Sequence, residues 1–304
     1  MDATVSMQDD LRGRTAIVTG AGKGLGRAYA LHLAQRGAKV LVNNRRHAGE
    51  ADADTSAQQT VDAIRANGGM AAANWCDVTD PDSGTVMVEQ ARSSFGRIDI
   101  VVANAGIDRA STFAKQSLAD FRAIFDTGFF GNLHLVHAAW PHLIEQEYGR
   151  VVLTASSAGL YGNRGQGAYG AAKAAVIGLM RTLAIEGRRH GVAVNAIAPY
   201  GYSQMTAPYM TDAMAQTFDP QRVAPLVGWL ASAACDVSGQ TLVCGAGLLC
   251  RADAGETDVV ALPGANFSSA MQALHALPVH GHASASDSFS QFLRQCPTHA
   301  KERS

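Results

Sequence analysis

The chain has 304 residues, 47% of them hydrophobic, and its 25 Lys and Arg against 26 Asp and Glu leave a formal net charge of −1. That size and apolar content fit one large α/β domain or two small ones, and the balanced charge argues against nucleic acid or an anionic membrane surface as partner. The five cysteines, Cys76, Cys235, Cys244, Cys250 and Cys296, are odd in number and form no CxxC pair, so neither a disulfide framework nor a metal site is expected and a reducing cytoplasm is the expected setting. The first residues have no basic start and no apolar run, so no signal peptide is expected; no apolar stretch reads as long enough to span a membrane; and Lys301-Glu302-Arg303-Ser304 is not a peroxisomal address.

In chain order, the β-branched run over residues 15–19 reads as a buried parallel strand that stops at glycine. A helix over 27–36 ends at Gly37, and residues 39–43 form a second strand. A polar loop over 45–54 leads to a helix over 55–67, a third strand over 71–76, a helix over 81–95 and a fourth strand over 98–103. A long helix over 117–146, interrupted near Gly128 and Gly131, precedes a fifth strand over 150–154. Then come a helix over 168–186, a sixth strand over 192–197, a long segment over 200–220, a helix over 221–232 and a last strand over 240–243. This alternation predicts an α/β fold, a Rossmann-like doubly wound parallel sheet of about seven strands with helices on both faces. Residues 1–250 read as one domain, and 251–304, rich in Ala, Ser, His and Asp, as an extension with short helices near 270–277 and 289–293, partly ordered or packed on the domain or a partner subunit.

Between the first strand and helix stand Gly20, Lys23, Gly24, Leu25 and Gly26. Glycines at these places permit a tight turn and a close approach of backbone to a pyrophosphate, and the helix N-terminus adds free N–H groups and a positive dipole. After the second strand, Asn43-Asn44-Arg45-Arg46 has no acid for a ribose 2′-hydroxyl and two cations for a 2′-phosphate, with Lys23 nearby. The cofactor reading is therefore NADP, with NAD as the alternative. Asp77 and Val78 follow the third strand, where Asp77 is in place for an adenine amino group. Asn104, Ala105 and Gly106 make a tight turn after the fourth strand, beside the expected ribose and nicotinamide.

Tyr169 and Lys173 stand four apart in the predicted 168–186 helix, hence on one face. An ammonium beside a phenol favours the phenolate and lowers its pKa, which makes Tyr169 a candidate proton donor and acceptor. Ser156 precedes Tyr169 by thirteen residues across a glycine-rich turn that can bring its hydroxyl beside the phenol. Serine, tyrosine and lysine converging on one oxygen suit carbonyl reduction or alcohol oxidation.

Thr19-Gly20-x-x-x-Gly24-x-Gly26, Asp77-Val78, Asn104-Ala105-Gly106, Ser156, Tyr169-x-x-x-Lys173, Asn195 and Pro199 together resemble the short-chain dehydrogenase/reductase family, over about residues 12–250. Stretches such as Ala138-Ala139-Trp140, Tyr161-Gly162-Asn163 and Ala184-Ile185-Glu186-Gly187-Arg188 resemble, within it, the (3R)-hydroxyacyl-CoA dehydrogenase branch of peroxisomal multifunctional enzymes of type 2 and their bacterial relatives.

The resemblance implies an NAD(P)-dependent oxidoreductase moving a hydride between nicotinamide and a secondary alcohol or ketone, its substrate a 3-hydroxyacyl-CoA or a hydroxysteroid-like alcohol. It implies that Ser156 hydrogen-bonds the substrate oxygen, Tyr169 moves the proton, and Lys173 holds the nicotinamide ribose and keeps the phenol acidic. Asn104 and Pro199 would shape the nicotinamide side. It further implies a homo-oligomer, dimer or tetramer, through the helices holding Trp140 and Tyr169. Residues 200–220, with Tyr200, Tyr202, Met205, Tyr209 and Met210, would line the substrate cavity and act as a lid.

Two departures stand out. Gly128, not Asn132, occupies the position where the family often has a proton-relay Asn, and Asn44 stands where acyl-CoA relatives carry an acid, which argues for NAD in them. Arg109, Lys115 and Arg164 are candidate contacts for a nucleotide-bearing substrate, whereas His134, His137 and His142 read as helix-face residues. The competing function is a non-catalytic dinucleotide-binding redox sensor or scaffold.

Overall fold

The computed structural model describes residues 11–260 and 267–295, so Cys296 and the termini lie outside it. The chain divides into two compact units, residues 1–251 and 252–304.

The first unit is built on a sheet whose strands are β1 (Thr15–Val18), β2 (Lys39–Asn43), β3 (Met70–Asn74), β4 (Ile100–Ala103), β5 (Gly149–Thr154), β6 (Val192–Tyr200), β7 (Thr241–Gly245) and β8 (Leu248–Ala252). Their order across the sheet is β3-β2-β1-β4-β5-β6-β7-β8, and the first seven pair in parallel. Both faces are covered, so each strand sends alternate residues to opposite cores. Ala16 and Val18 of β1 and Ile100 and Val102 of β4 join one core, whereas Ile17, Val101 and Ala103 join the other. The first core is capped by α1 (Gly24–Gln35) and α2 (Ser56–Ala66). The second is capped by α3 (Ser83–Phe95) and by the long helices α5 (Gly131–Glu145) and, after a short α6 (Ser157–Tyr161), α7 (Gly167–Gly187), while α4 (Leu118–Phe125) buries Ile124 against Ala168 and Ala172 of α7 in a smaller cluster.

The structure departs from the sequence reading in three places. The sheet has an eighth strand, because Ala246 and Gly247 both adopt positive φ, 53° and 77°. That is the signature of a two-residue turn that folds β8 back antiparallel beside β7. The long helix is interrupted where expected, by a π-turn over Asp126–Phe130 that contains Gly128 and ends at Gly131. The expected 221–232 helix begins as a 3-10 turn over Pro220–Arg222 and becomes α-helical as α9 (Ala224–Leu230); α8 (Asp212–Thr217) forms within the 200–220 segment. Lastly, residues 167–190 are long and apolar enough by composition to cross a membrane, against the sequence expectation. Much of α7's apolar surface is core: Ala172, Val176, Ile177, Met180 and Ala184 are buried.

In the second unit, an antiparallel ribbon of β9 (Gly255–Thr257) and β10 (Val279–Gly281) pairs Glu256 with His280. Two helices, α10 (Phe267–Ala276) and α11 (Ala285–Arg294), carry no buried residue. The Ser288 hydroxyl donates to Glu256, which ties α11 to the ribbon.

Candidate active site

Strand order reverses between β1 and β4: the chain runs β1 to β3 outward, then returns to place β4 on the other side of β1. Loops leaving the C-terminal ends of those two strands diverge and leave a crevice. A cavity of about 410 Å³ opens there. The buried Thr19 holds the two strand ends together, its hydroxyl accepting the backbone N–H groups of Asn104 and Ala105, each at 3.0 Å. Asn104 returns the contact, its side-chain amide donating to the Thr19 carbonyl at 3.1 Å.

At one end of the cavity lies the glycine loop. Close approach is obligatory at Gly26, where a Cβ would sit 2.2 Å from the Gly20 carbonyl oxygen. Helix α1 begins behind it with no side-chain cap from Lys23, so its first N–H groups are left for a ligand. Thr60 of α2 fixes the loop from outside, its hydroxyl donating to the Ala21 carbonyl at 3.1 Å. A free helix start, a glycine cradle and a cavity of this size fit a dinucleotide.

At the other end, Ser156, Tyr169, Lys173 and Pro199 line the same cavity. Helix α6, absent from the sequence reading, delivers Ser156: it packs on α7 so tightly that a Cβ on Gly159 would lie 2.6 Å from the Lys173 carbonyl carbon. Ser156 is also the N-cap of α6, accepting the Ala158 N–H at 3.2 Å. Lys173 is 2% exposed and donates to the Thr154 carbonyl at 2.7 Å. Burial lowers its pKa from 10.5 to about 8.

The expected acidification of Tyr169 is not met. Burial raises its pKa above the ordinary value, the hydrogen bond with Ser156 pulls it back, and the charge of Asp108 raises it further. The Lys173 amine is held on the Thr154 carbonyl and lies over the phenol ring, 5.8 Å from its centroid.

Of the predicted residues, Gly20, Lys23, Gly24, Leu25, Gly26, Asn44, Asn104, Ala105, Gly106, Ser156, Tyr169, Lys173 and Pro199 are brought to one cavity. Arg45, Asp77 and Val78 are not among its lining residues. Arg45 sits 3.7 Å from Asp77, and Arg46 pairs with Asp52 and lies over the Trp75 ring. Burial pushes the Asp77 carboxyl up, but hydrogen bonds from Thr79 and the Arg45 charge outweigh it and leave it below the usual range. Val78 is core, and its carbonyl meets the His134 ring at 3.1 Å.

Sequence reasoning missed His47, Glu50, Ser56 and Asp108, all in the cavity wall. Only their fold neighbours, not their spacing, mark them. Residues 201 and 203–206 line the cavity, whereas Tyr200, Tyr202 and Met210 do not; the Tyr209 side chain lies outside what is described. Gly128 sits in the π-turn, where a Cβ would meet the Ala172 Cβ at 3.9 Å without a clash, and its carbonyl accepts the buried Asn132 amide at 2.7 Å. An asparagine thus reaches that turn from four residues further on. Asn195 has a structural task, its amide donating to the Val237 carbonyl at 2.9 Å.

The family model described as short chain dehydrogenase matches residues 14–214. The chain belongs to the short-chain dehydrogenase family. Members of this family bind NAD or NADP. The chain is 43% identical over 237 residues to the peroxisomal multifunctional enzyme type 2 of Mus musculus, covering 77% of this chain and 32% of that protein. It therefore spans about a third of that relative's length. It is 40% identical over 256 residues to a short-chain type dehydrogenase/reductase of Mycobacterium tuberculosis, covering 84% of this chain and 88% of the other. Among solved structures, a short chain dehydrogenase from Mycobacterium avium superposes with a TM-score of 0.78 at 36% identity, over 90% of this chain and 98% of that one.

Proposed function

We propose that this short-chain dehydrogenase interconverts a 3-hydroxyacyl-CoA and its 3-oxo form with a nicotinamide dinucleotide. The observation that carries the reading is the presence of Ser156, Tyr169 and Lys173 in one cavity with the uncapped start of α1. When bound, the cofactor accepts or returns a hydride at its nicotinamide ring. The chain's own residues do the rest. The Ser156 hydroxyl donates to the substrate oxygen and holds it against the phenol. Tyr169 takes the hydroxyl proton on oxidation and gives it back on reduction. Lys173 holds a ribose hydroxyl and relays the proton. Asn104 and Pro199, both in the cavity wall, shape the nicotinamide side.

For a CoA thioester, Arg109, Lys115 and Arg164 are the candidate nucleotide contacts, none of them in the cavity wall. Arg109 pairs with Asp120, and Lys115 and Arg164 are exposed on segments joined by the Ser111–Gln166 bridge. A hydroxysteroid-like alcohol is the second reading, favoured by Met205 in the wall. NADP is the proposed cofactor, because Arg45 is exposed and its contact with Asp77 at 3.7 Å is loose enough to yield to a 2′-phosphate; Glu50 in the wall works against it.

The proposed assembly is a homo-oligomer using the small-residue face of α7, where Ala171, Ala174 and Gly178 are exposed. Residues 1–250 remain the proposed catalytic domain. The four described cysteines are unpaired, which supports a cytoplasmic setting.

Steady-state kinetics with NAD and NADP side by side, over 3-hydroxyacyl-CoA and hydroxysteroid substrates, tests this. Turnover of the thioester is expected, with NADP preferred and the preference reduced about tenfold in Arg45→Ala. Cofactor binding without turnover of any alcohol or ketone returns the chain to the redox-sensor reading.

A further inference from the structure

Asp108 is a charged group in the catalytic cavity to which hydride transfer assigns no task. It follows the Asn104–Gly106 turn and shares the cavity wall with Ser156 and Tyr169. Its Oδ2 accepts a hydrogen bond from the side-chain amide of Gln166, three residues before Tyr169. Gln166 is fixed in turn by Asn163, whose amide donates to it at 2.8 Å. Between the two segments runs a short parallel bridge, Ser111 to Gln166, and the Ser111 N–H donates to the Gly165 carbonyl at 2.8 Å. The second oxygen, Oδ1, is shielded from water and has no hydrogen-bond partner.

Among the described residues no cation compensates this carboxylate. Its neighbour Arg109 is turned to Asp120, and the Lys173 amine is held on the Thr154 carbonyl. A neutral amide therefore anchors an uncompensated negative charge beside the reacting groups. Burial opposes ionisation of Tyr169 most, Ser156 eases it and Asp108 opposes it further, with the Lys173 amine over the ring at 5.8 Å.

We propose that Asp108 determines substrate charge at this site: its carboxylate excludes an anionic group next to the reacting carbinol, so the substrate enters as an ester, thioester or other uncharged derivative and not as the free hydroxy acid. Like charges in a partly desolvated wall repel far more strongly than in bulk water, and a built-in repulsion is an economical source of specificity. This rests on the dehydrogenase reading above and narrows its substrate class.

The test compares kcat/KM for 3-hydroxybutanoate and for its N-acetylcysteamine thioester, which is uncharged and carries no nucleotide. It is run in the wild type, D108N and D108E, with NADPH binding followed separately by fluorescence. The wild type is expected to favour the thioester, D108N to shift the ratio toward the free acid by about tenfold, and D108E to keep the wild-type ratio. D108N should also move the acid limb of the oxidation profile to lower pH with both substrates, since Tyr169 then ionises more readily. A D108N ratio within about twofold of wild type overturns the proposal, whatever happens to the absolute rates. If D108N fails to bind NADPH, the same ratio read in D108S decides. A wild type that binds NADPH but turns over neither substrate nor any CoA thioester sinks the dehydrogenase reading and this inference with it.

Discussion

At the proposed catalytic end of the cavity each side chain assigned to the reaction comes from the edge of a regular element packed into the core. Ser156 caps α6, Tyr169 and Lys173 lie one turn apart on α7, and Lys173 is fixed on the end of β5. At the proposed nucleotide end the residues proposed to select the cofactor come from the exposed loop after β2, where Arg45 and Arg46 are held by surface ion pairs with Asp77 and Asp52. The catalytic end is thus set by burial and close packing, and the nucleotide end by solvent-screened contacts that a bound ligand can rearrange. Substitutions should hurt in proportion.

The largest effect is expected at Tyr169. Tyr169→Phe should lower turnover by about 10²–10⁴-fold while NAD(P)H binding stays within about twofold, read by stopped-flow and fluorescence titration. Near-wild-type turnover would remove the distinction between the two ends, because the core-held phenol would then have no chemical task.

Lys173 tests burial directly. Its folded-state pKa, about 8, lies below the 10.5 of the free group, so the fold favours the neutral amine. The stability that this neutrality contributes is complete above pH 10.5 and is lost as pH falls toward 8; below that the apoprotein carries the full cost of a buried ammonium. Lys173→Met apoprotein should therefore be more stable than wild type at pH 7 by roughly 2 kcal/mol, after subtracting the lost Thr154 hydrogen bond. The advantage should shrink by pH 10. Denaturant melts at the two pH values check the sign; an advantage that grows with pH would contradict the burial account.

The glycine loop is the one part of the nucleotide end that shares the rigidity of the core. Gly26→Ala forces a Cβ against the Gly20 carbonyl and should weaken cofactor binding by about 10- to 100-fold, measured by calorimetry. Unchanged affinity would mean the loop is as pliable as the one after β2.

The smallest effect is expected in that loop. Asp77→Asn removes the exposed pair with Arg45 and should change stability by less than about 1 kcal/mol, with salt erasing the difference in thermal melts. A larger, salt-insensitive loss would show that this end is also structurally determined.

Much of this contrast was legible in the sequence. Lys39–Asn43 was read to the residue, because a β-branched run bounded by glycine and polar residues has few other readings. The Tyr169–Lys173 juxtaposition follows from helical periodicity once α7 is accepted. The eighth strand was not legible, because its turn uses Ala246-Gly247 where an Asn-Gly pair would have announced it. The interruption near Gly128 was legible but its π geometry was not, and α6 was not visible at all, since both depend on how α7 packs against its neighbours rather than on local propensity.

The sequence by itself determined what is local or periodic: the βα alternation, the glycine loop before α1, the four-residue spacing on α7 and the Asn104–Gly106 turn. Tertiary structure alone decided what depends on neighbours distant in the chain. It withheld from Tyr169 the acidity that its spacing from Lys173 suggested, because burial and Asp108 outweigh an amine turned to Thr154. It also turned Arg45 and Arg46 toward acids and put Glu50 and Asp108 in the cavity wall. A residue's chemical type is written in the chain, but its charge state and reach follow from the dielectric and the partners that folding assembles around it.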